Sequence, residues 1–218
     1  MTRTVSRGLG QVVLVLLLGG CFGAYQVSPD DVQARGGLTP NLEDKDAGLV
    51  ALAPGLDIRA YKVIAVEKFP VTDPAIKDDD DRRKAAEMAT ILQSELVRRL
   101  RDTSLFARVV NLSETDFQPG PEKTLRLTGV ISRLGEGSQA ARALVGLYGG
   151  GAARAQAEMQ FVDTQSKQTV LVTADRRRAT MGVFGGDARD HWKESFDDMA
   201  RDLAKFLVRL ASGQALAK

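Results

Sequence analysis

Hydrophobic residues recur every three or four positions in two segments of the chain, which predicts two amphipathic helices. The first helix is predicted over about residues 81–101, and the second over residues 187–210, read as DARDHWKESFDDMARDLAKFLVRL. The apolar positions of the second helix are Trp192, Phe196, Met199, Leu203, Phe206, Leu207 and Leu210. A stripe of this size is typical of a helix that packs on a protein core.

Five other segments show the continuous or alternating apolar pattern of β-strands. They cover residues 61–69, 104–112, 124–134, 152–163 and 168–178. The last two flank a short polar turn and are predicted to form a hairpin. The resulting order is βαββββα, which predicts the α+β class. We expect a two-layer α/β sandwich whose largely antiparallel sheet of about five strands carries two helices on one face.

The first twenty residues show the three parts of a secretory signal peptide. Arg3 and Arg7 give a positive start, and the apolar run over residues 12–18 is too short to span a bilayer. The segment Leu18-Gly19-Gly20-Cys21 resembles the lipobox of bacterial lipoproteins. That resemblance implies cleavage between Gly20 and Cys21, diacylglyceryl transfer to the Cys21 thiol, and acylation of the new amino group. Because Phe22 and not Asp follows the cysteine, it implies the periplasmic face of the outer membrane.

The chain after the signal peptide divides into three further regions. Residues 21–57 contain glycines, prolines and mixed charges with little periodicity, so they are predicted to form a flexible tether behind the acylated Cys21. Residues 58–213 are predicted to form one periplasmic α/β domain, and residues 214–218 a short tail. A coil as long as the tether would reach roughly 35 Å and lift the domain from the lipid surface.

The net charge and the small numbers of histidine and cysteine argue against several classes of function. Without Arg3 and Arg7 the chain carries equal numbers of basic and acidic residues, so its charge gives no reason to expect nucleic-acid binding. One histidine and one cysteine are too few for a typical zinc site, and we expect no metal, no cofactor and no small-molecule substrate. The acidic run over residues 78–81 lacks the spacing of a calcium loop and is predicted to cap a helix. The run Arg176-Arg177-Arg178 is predicted to be a solvated strand end, with contact to lipid phosphates as the alternative.

The most unusual segment is RALVGLYGGGAAR over residues 142–154. It lacks the lysine of a phosphate-binding loop. Three interpretations remain: a flexible connection with glycine bulges, which is favoured; a loop that contacts a partner; and a hairpin that enters the membrane on oligomerisation. The residues of this possible interaction loop are Arg142, Gly146, Gly149, Gly150 and Gly151.

These features together resemble one family of Gram-negative lipoproteins, catalogued as domain of unknown function number 4410. The resemblance rests on the lipobox, on YKVIAVEKF, on residues 135–171 with their arginine and glycine cluster, and on the closing helix. It covers about residues 58–210, with Lys167 where the family pattern has a turn glycine. The resemblance implies no catalytic residues.

Three hypotheses for the function follow from the sequence. The first is a non-enzymatic lipoprotein anchored in the outer membrane that binds another envelope protein. The second is a self-oligomerising lipoprotein of a secretion or envelope-assembly system, with the glycine-rich segment at subunit contacts. The third, an envelope hydrolase, would depend on His191 or on acidic residues of the last helix, and no nucleophile motif supports it.

Overall fold

The computed structural model describes residues 24–135, 153–179, 188–214 and 216. In these parts of the chain the protein is a mixed α+β structure with two long α-helices and eight strands in one sheet. The strands are β1 (Ala24–Val27), β2 (Leu42–Asp44), β3 (Gly48–Leu52), β4 (Val63–Val66), β5 (Arg108–Asn111), β6 (Thr124–Gly135), β7 (Ala153–Asp163) and β8 (Thr169–Ala179). The helices are α1 (Asp79–Asp102) and α2 (Ala188–Ala211), with a short 3₁₀ helix at Ile58–Ala60.

The sheet is largely antiparallel and has the strand order β2-β3-β8-β7-β6-β4-β5. Only β4 pairs in parallel, with β5 on one side and β6 on the other. Strand β8 pairs with β7 along its length. Its other side is shared, because β3 pairs with Leu171–Ala174 and β1 pairs with Arg176–Ala179. The two short strands β1 and β3 thus lie in line beside β8.

The structure describes eight strands where about five were predicted, and three of them lie within residues 21–57, where a tether was predicted. Three strands, β1 to β3, precede the first strand of the predicted βαββββα order and complete one side of the sheet. They escaped prediction because they are only three to five residues long, and such short runs carry no periodicity. Gly48 at φ 72° shows how closely they pack, since a Cβ there would stand 2.2 Å from the Ala174 carbonyl oxygen.

The connection between β1 and β2 covers the sheet face opposite the helices. We call residues 28–38 of this connection the strap. The backbone N–H of Asp30 donates to Gln156 Oε1 at 2.9 Å, and Gln156 Nε2 donates to the Asp30 carbonyl at 2.8 Å. Arg35 forms an ion pair with Glu158 at 2.8 Å. The strap therefore satisfies two polar residues that the sheet buries, and this fixes it to the domain.

Both helices pack on the other face, over one hydrophobic core. Alternation along β4 separates the two faces: Ile64 and Val66 belong to this core, while Val63 and Ala65 face a small second cluster. Trp192, the single tryptophan, is buried on α2 and donates from Nε1 to the Gly135 carbonyl at 3.4 Å. Helix α2 thus starts beside the carboxyl end of β6.

Local capping sets the helix start and the hairpin turn. Asp78 caps α1 by accepting a hydrogen bond from the backbone N–H of Asp81 at 2.8 Å. Between β7 and β8, Asp163 Oδ1 accepts from the backbone N–H groups of Gln165 and Ser166. Lys167 has φ 61°, the left-handed conformation that favours glycine, at the position where the family pattern has one.

Candidate functional site

Most sequence-predicted site residues lie outside the described parts of the chain. Gly20 and Cys21 precede Ala24, and the possible interaction loop lies between residues 135 and 153. Its members are Arg142, Gly146, Gly149, Gly150 and Gly151. Their predicted roles stay predictions, but the structure places the residues that flank them.

Those flanking residues meet at one end of the sheet, which we call the Ala24 end. Ala24 pairs with Ala179, Ala179 pairs with Ala153, and Gly135 pairs with the next residue, Arg154. Cys21 is three residues before Ala24, a distance of at most about 10 Å in extended chain. The structure therefore brings Ala24 and the flanks of the glycine-rich segment to the same end of the domain.

The face of the sheet beneath the strap is rich in arginine at this end. Arg133 is paired with Asp31 at 2.6 Å, and Arg176 is paired with Asp30. Arg154 and Arg178 stand directly opposite each other on β7 and β8. Tyr25, which is 48% exposed, lies opposite Arg178 on β1. Sequence reasoning missed this group, because the register of three strands creates it.

Arg177 points the other way, and the prediction that the triple arginine is a solvated strand end is wrong for it. The side chain faces the helices and is buried, with the residue 4% exposed. Its Nη2 lies 2.6 Å from Asp175 Oδ2, and its Nη1 lies 3.0 Å from Asp202 Oδ2 on α2. The sequence contained a signal for this burial. Side chains alternate along a strand, so Asp175 and Arg177 lie on one face and their neighbours on the other.

Burial shifts the pKa values of the Asp175–Arg177–Asp202 cluster, together with the charges inside it. Burial raises the pKa of Asp175, although Arg177 opposes the shift. Burial would lower the pKa of Arg177, but the two carboxylates outweigh it and raise that pKa. At Asp202 the effect of burial is outweighed by Lys205, Arg177 and Arg201, and the pKa is lowered. The cluster is a charged connection between sheet and helix.

Other buried acidic groups are likewise bound to structural partners. Arg209 near the end of α2 pairs with Asp44 at 2.6 Å and so holds the β2–β3 hairpin against the helix. Tyr61 Oη donates to Asp163 at 3.0 Å. Burial first, and then this carboxylate, raise the pKa of Tyr61 to about 12.

The residues considered for hydrolysis do not form a nucleophile and base arrangement in the described structure. The nearest ion-pair partner of His191 is Glu194, at 3.9 Å. Ser195 Oγ donates to the His191 backbone carbonyl at 2.8 Å, which leaves it engaged within the helix. The helix carboxylate Asp197 binds Arg99 at 2.6 Å.

Within the described residues, no group of three or more histidine, cysteine, aspartate or glutamate side chains is placed to hold a metal ion. Neither of the two α-helices described is long and apolar enough to cross a membrane.

Comparison with known proteins identifies the family. The model of the family described as Domain of unknown function (DUF4410) matches residues 64–184, more than half of the chain. The chain belongs to this family. The match confirms the resemblance drawn from the sequence, and it ends before α2 of this DUF4410 protein. No curated protein matches the chain.

Several solved structures are similar to the chain at a low level. The PelC dodecamer from Paraburkholderia phytofirmans is 12% identical with a TM-score of 0.44, and the alignment covers 71% of this chain and 96% of that one. Protein XCC0632 from Xanthomonas campestris is 12% identical with a TM-score of 0.45, over 80% of this chain and 98% of that one. Similarity at this level carries no argument about function.

Proposed function

We propose that this DUF4410 protein is a lipoprotein of the outer membrane, on its periplasmic face, that acts as a non-enzymatic protein-interaction module. The observation that carries the proposal is the position of β1. This strand is part of the sheet, and it begins three residues after Cys21. An acylated Cys21 would hold the Ala24 end of the domain within about 10 Å of the lipid surface.

The connection between Cys21 and β1 is too short to act as the long tether that was expected. A long coil would let the domain search a wide volume, whereas three residues fix which end faces the membrane. The surfaces away from the Ala24 end then point into the periplasm in a defined direction. A module that presents a fixed surface to a partner fits this geometry.

The use of the buried charges supports a non-enzymatic role. Asp175 and Asp202 share Arg177, Glu158 binds Arg35, and their contacts join separate elements of the fold. Catalytic carboxylates need access to a substrate, whereas these side chains form buried ion pairs that hold helix, sheet and strap together.

The sheet edges bear on the alternative of self-assembly. The edge strands β1, β2 and β5 are only four, three and four residues long. Arg101 Nη2 also donates to the Val109 carbonyl of β5, at 3.4 Å. Short, capped edges disfavour the addition of a strand from a second copy, so we place binding of a different envelope protein first.

Purification of the full-length protein from crosslinked envelopes tests the proposal, with Cys21→Ser as the control. We expect the wild type in the outer-membrane fraction, acyl groups on its Cys21 peptide by mass spectrometry, and one recurrent foreign protein at stoichiometric level. The control should lose both the acyl groups and the membrane fraction. An unmodified Cys21 would overturn the anchor, and a discrete homo-oligomer without a foreign protein would replace the first hypothesis by self-assembly.

A further inference from the structure

Two arginines face each other at the Ala24 end, and no oppositely charged side chain of the described residues is paired with them. Arg154 of β7 and Arg178 of β8 are register partners, so their β-carbons stand about 5 Å apart. Like charges directly opposite on a sheet are destabilising. Such a pair is expected where a ligand of opposite charge is bound.

The neighbouring arginines, in contrast, form ion pairs within the domain. Arg133 and Arg176 on the same face have Asp31 and Asp30, and Arg177 on the other face has Asp175 and Asp202. Within the described residues, neither Arg154 nor Arg178 forms an ion pair. The Nε–H of Arg178 is buried and has no hydrogen-bond acceptor among the described residues, and the same holds for the Nε–H of Arg176. A buried donor of this kind calls for an acceptor from outside the described residues.

The location of the pair indicates which acceptor. Tyr25 lies beside Arg178 on β1, four residues after Cys21, and it is 48% exposed. Tyrosine is enriched at membrane–water interfaces, where its ring meets the headgroups. Arginine forks bind phosphate through two parallel hydrogen bonds. An anchor at Cys21 would bring phosphate groups of lipids to this position.

We infer that Arg154, Arg178 and Tyr25 form a binding site for the phosphate of lipid headgroups, which docks the Ala24 end on the membrane surface. The inference rests on the proposed anchor at Cys21, which selects the end of the domain that faces the membrane, and it adds a fixed tilt of that end against the surface. Each basic residue beside an anionic surface strengthens docking about fivefold, so the pair supplies about 25-fold.

Energy transfer from Trp192 to dansyl-labelled headgroups measures the docking. Trp192 is the only tryptophan and contacts Gly135 at the Ala24 end. The full-length acylated protein is reconstituted in phosphatidylcholine vesicles with and without phosphatidylglycerol. We expect strong transfer with the anionic lipid, and for the variant R154Q/R178Q a docking constant about 25-fold lower.

The matched control removes two arginines from the other end of the sheet. Arg108 pairs with Val63, and Val63 pairs with Thr124, eleven residues and about 36 Å along β6 from Gly135. Arg59 precedes β4 at the same end. The variant R59Q/R108Q makes the same change of charge and should keep wild-type transfer.

The outcomes separate this inference from the proposed function. If no variant attaches to vesicles, the anchor fails and the inference fails with it. If all variants attach and R154Q/R178Q transfers like the wild type, the inference alone is overturned. Equal wild-type transfer with and without phosphatidylglycerol in the vesicles would overturn the anionic lipid as the source of the phosphate. Should the double variant unfold, R154Q alone, at an exposed position, is expected to lower docking about fivefold.

Discussion

Replacing Arg177 by methionine tests whether the buried charge cluster stabilises the fold. The substitution removes a cation that is 4% exposed and lies 2.6 Å from Asp175 and 3.0 Å from Asp202. Asp202 keeps Lys205 at 2.8 Å, so the carboxylate left uncompensated is mainly Asp175. Breaking a buried ion pair from one side costs about 3–5 kcal/mol. With one of two carboxylates still paired, we expect a loss of about 3 kcal/mol in the free energy of unfolding at pH 7.

The loss should depend on pH in a direction that follows from the pKa of Asp175. Burial already raises that pKa in the presence of Arg177, and removing Arg177 raises it further. A carboxyl group whose pKa is higher in the folded state costs stability when it is ionised, and the cost fades as protons bind. The deficit of R177M relative to wild type should therefore be largest at neutral pH and shrink as the pH falls toward about 4.

Urea unfolding followed by the fluorescence of Trp192 measures both effects. The variant D175N/R177M should regain most of the lost stability, because it removes the uncompensated charge. R108M, at an exposed position on β5, serves as the control for losing an arginine. A deficit below about 1 kcal/mol at pH 7, or one that is equal at pH 7 and pH 4, would refute the assignment of Arg177 to a buried pair.

Three further changes probe other contacts. Tyr61→Phe removes a buried hydrogen bond to the Asp163 carboxylate and should cost about 1.5–3 kcal/mol in urea unfolding. Gly129→Ala should cost about 1–3 kcal/mol, because the new Cβ would stand 2.3 Å from the Glu158 carbonyl oxygen. Asp78→Ala removes the cap of α1 and should cost about 1 kcal/mol, while calcium and chelators should leave the melting temperature unchanged.

Each of these changes has a matched control elsewhere in the chain. Tyr25→Phe alters an exposed tyrosine, and Gly120→Ala adds a Cβ that meets no atom within 4 Å. Asp79→Ala changes a neighbouring acidic residue that does not cap the helix. Equal losses in a change and its control would contradict the contact that the prediction uses, and a rise in melting temperature with calcium would restore the metal hypothesis for the acidic run.

The candidate site could be predicted only in part. The lipobox pointed to Cys21, and the glycine cluster marked the segment that follows β6. The sequence did not show that both attach to the same end of the sheet, because that depends on β1 pairing with β8 across more than 140 residues of chain. For the same reason Arg154 and Arg178 looked like two unrelated residues until the register placed them opposite each other.

What the sequence determined by itself is the set of long elements. The stripes of α1 and α2 and the alternation of β6, β7 and β8 repeat over ten or more residues, and a repeat of that length selects one backbone conformation locally. Tertiary structure decided everything that depends on remote partners. The strap is held in place because Arg35 binds Glu158 and Asp30 binds Gln156. Arg177 is buried because α2 supplies Asp202 as its partner. Short strands and buried charges are stabilised only by such contacts, so no local sequence pattern predicts them.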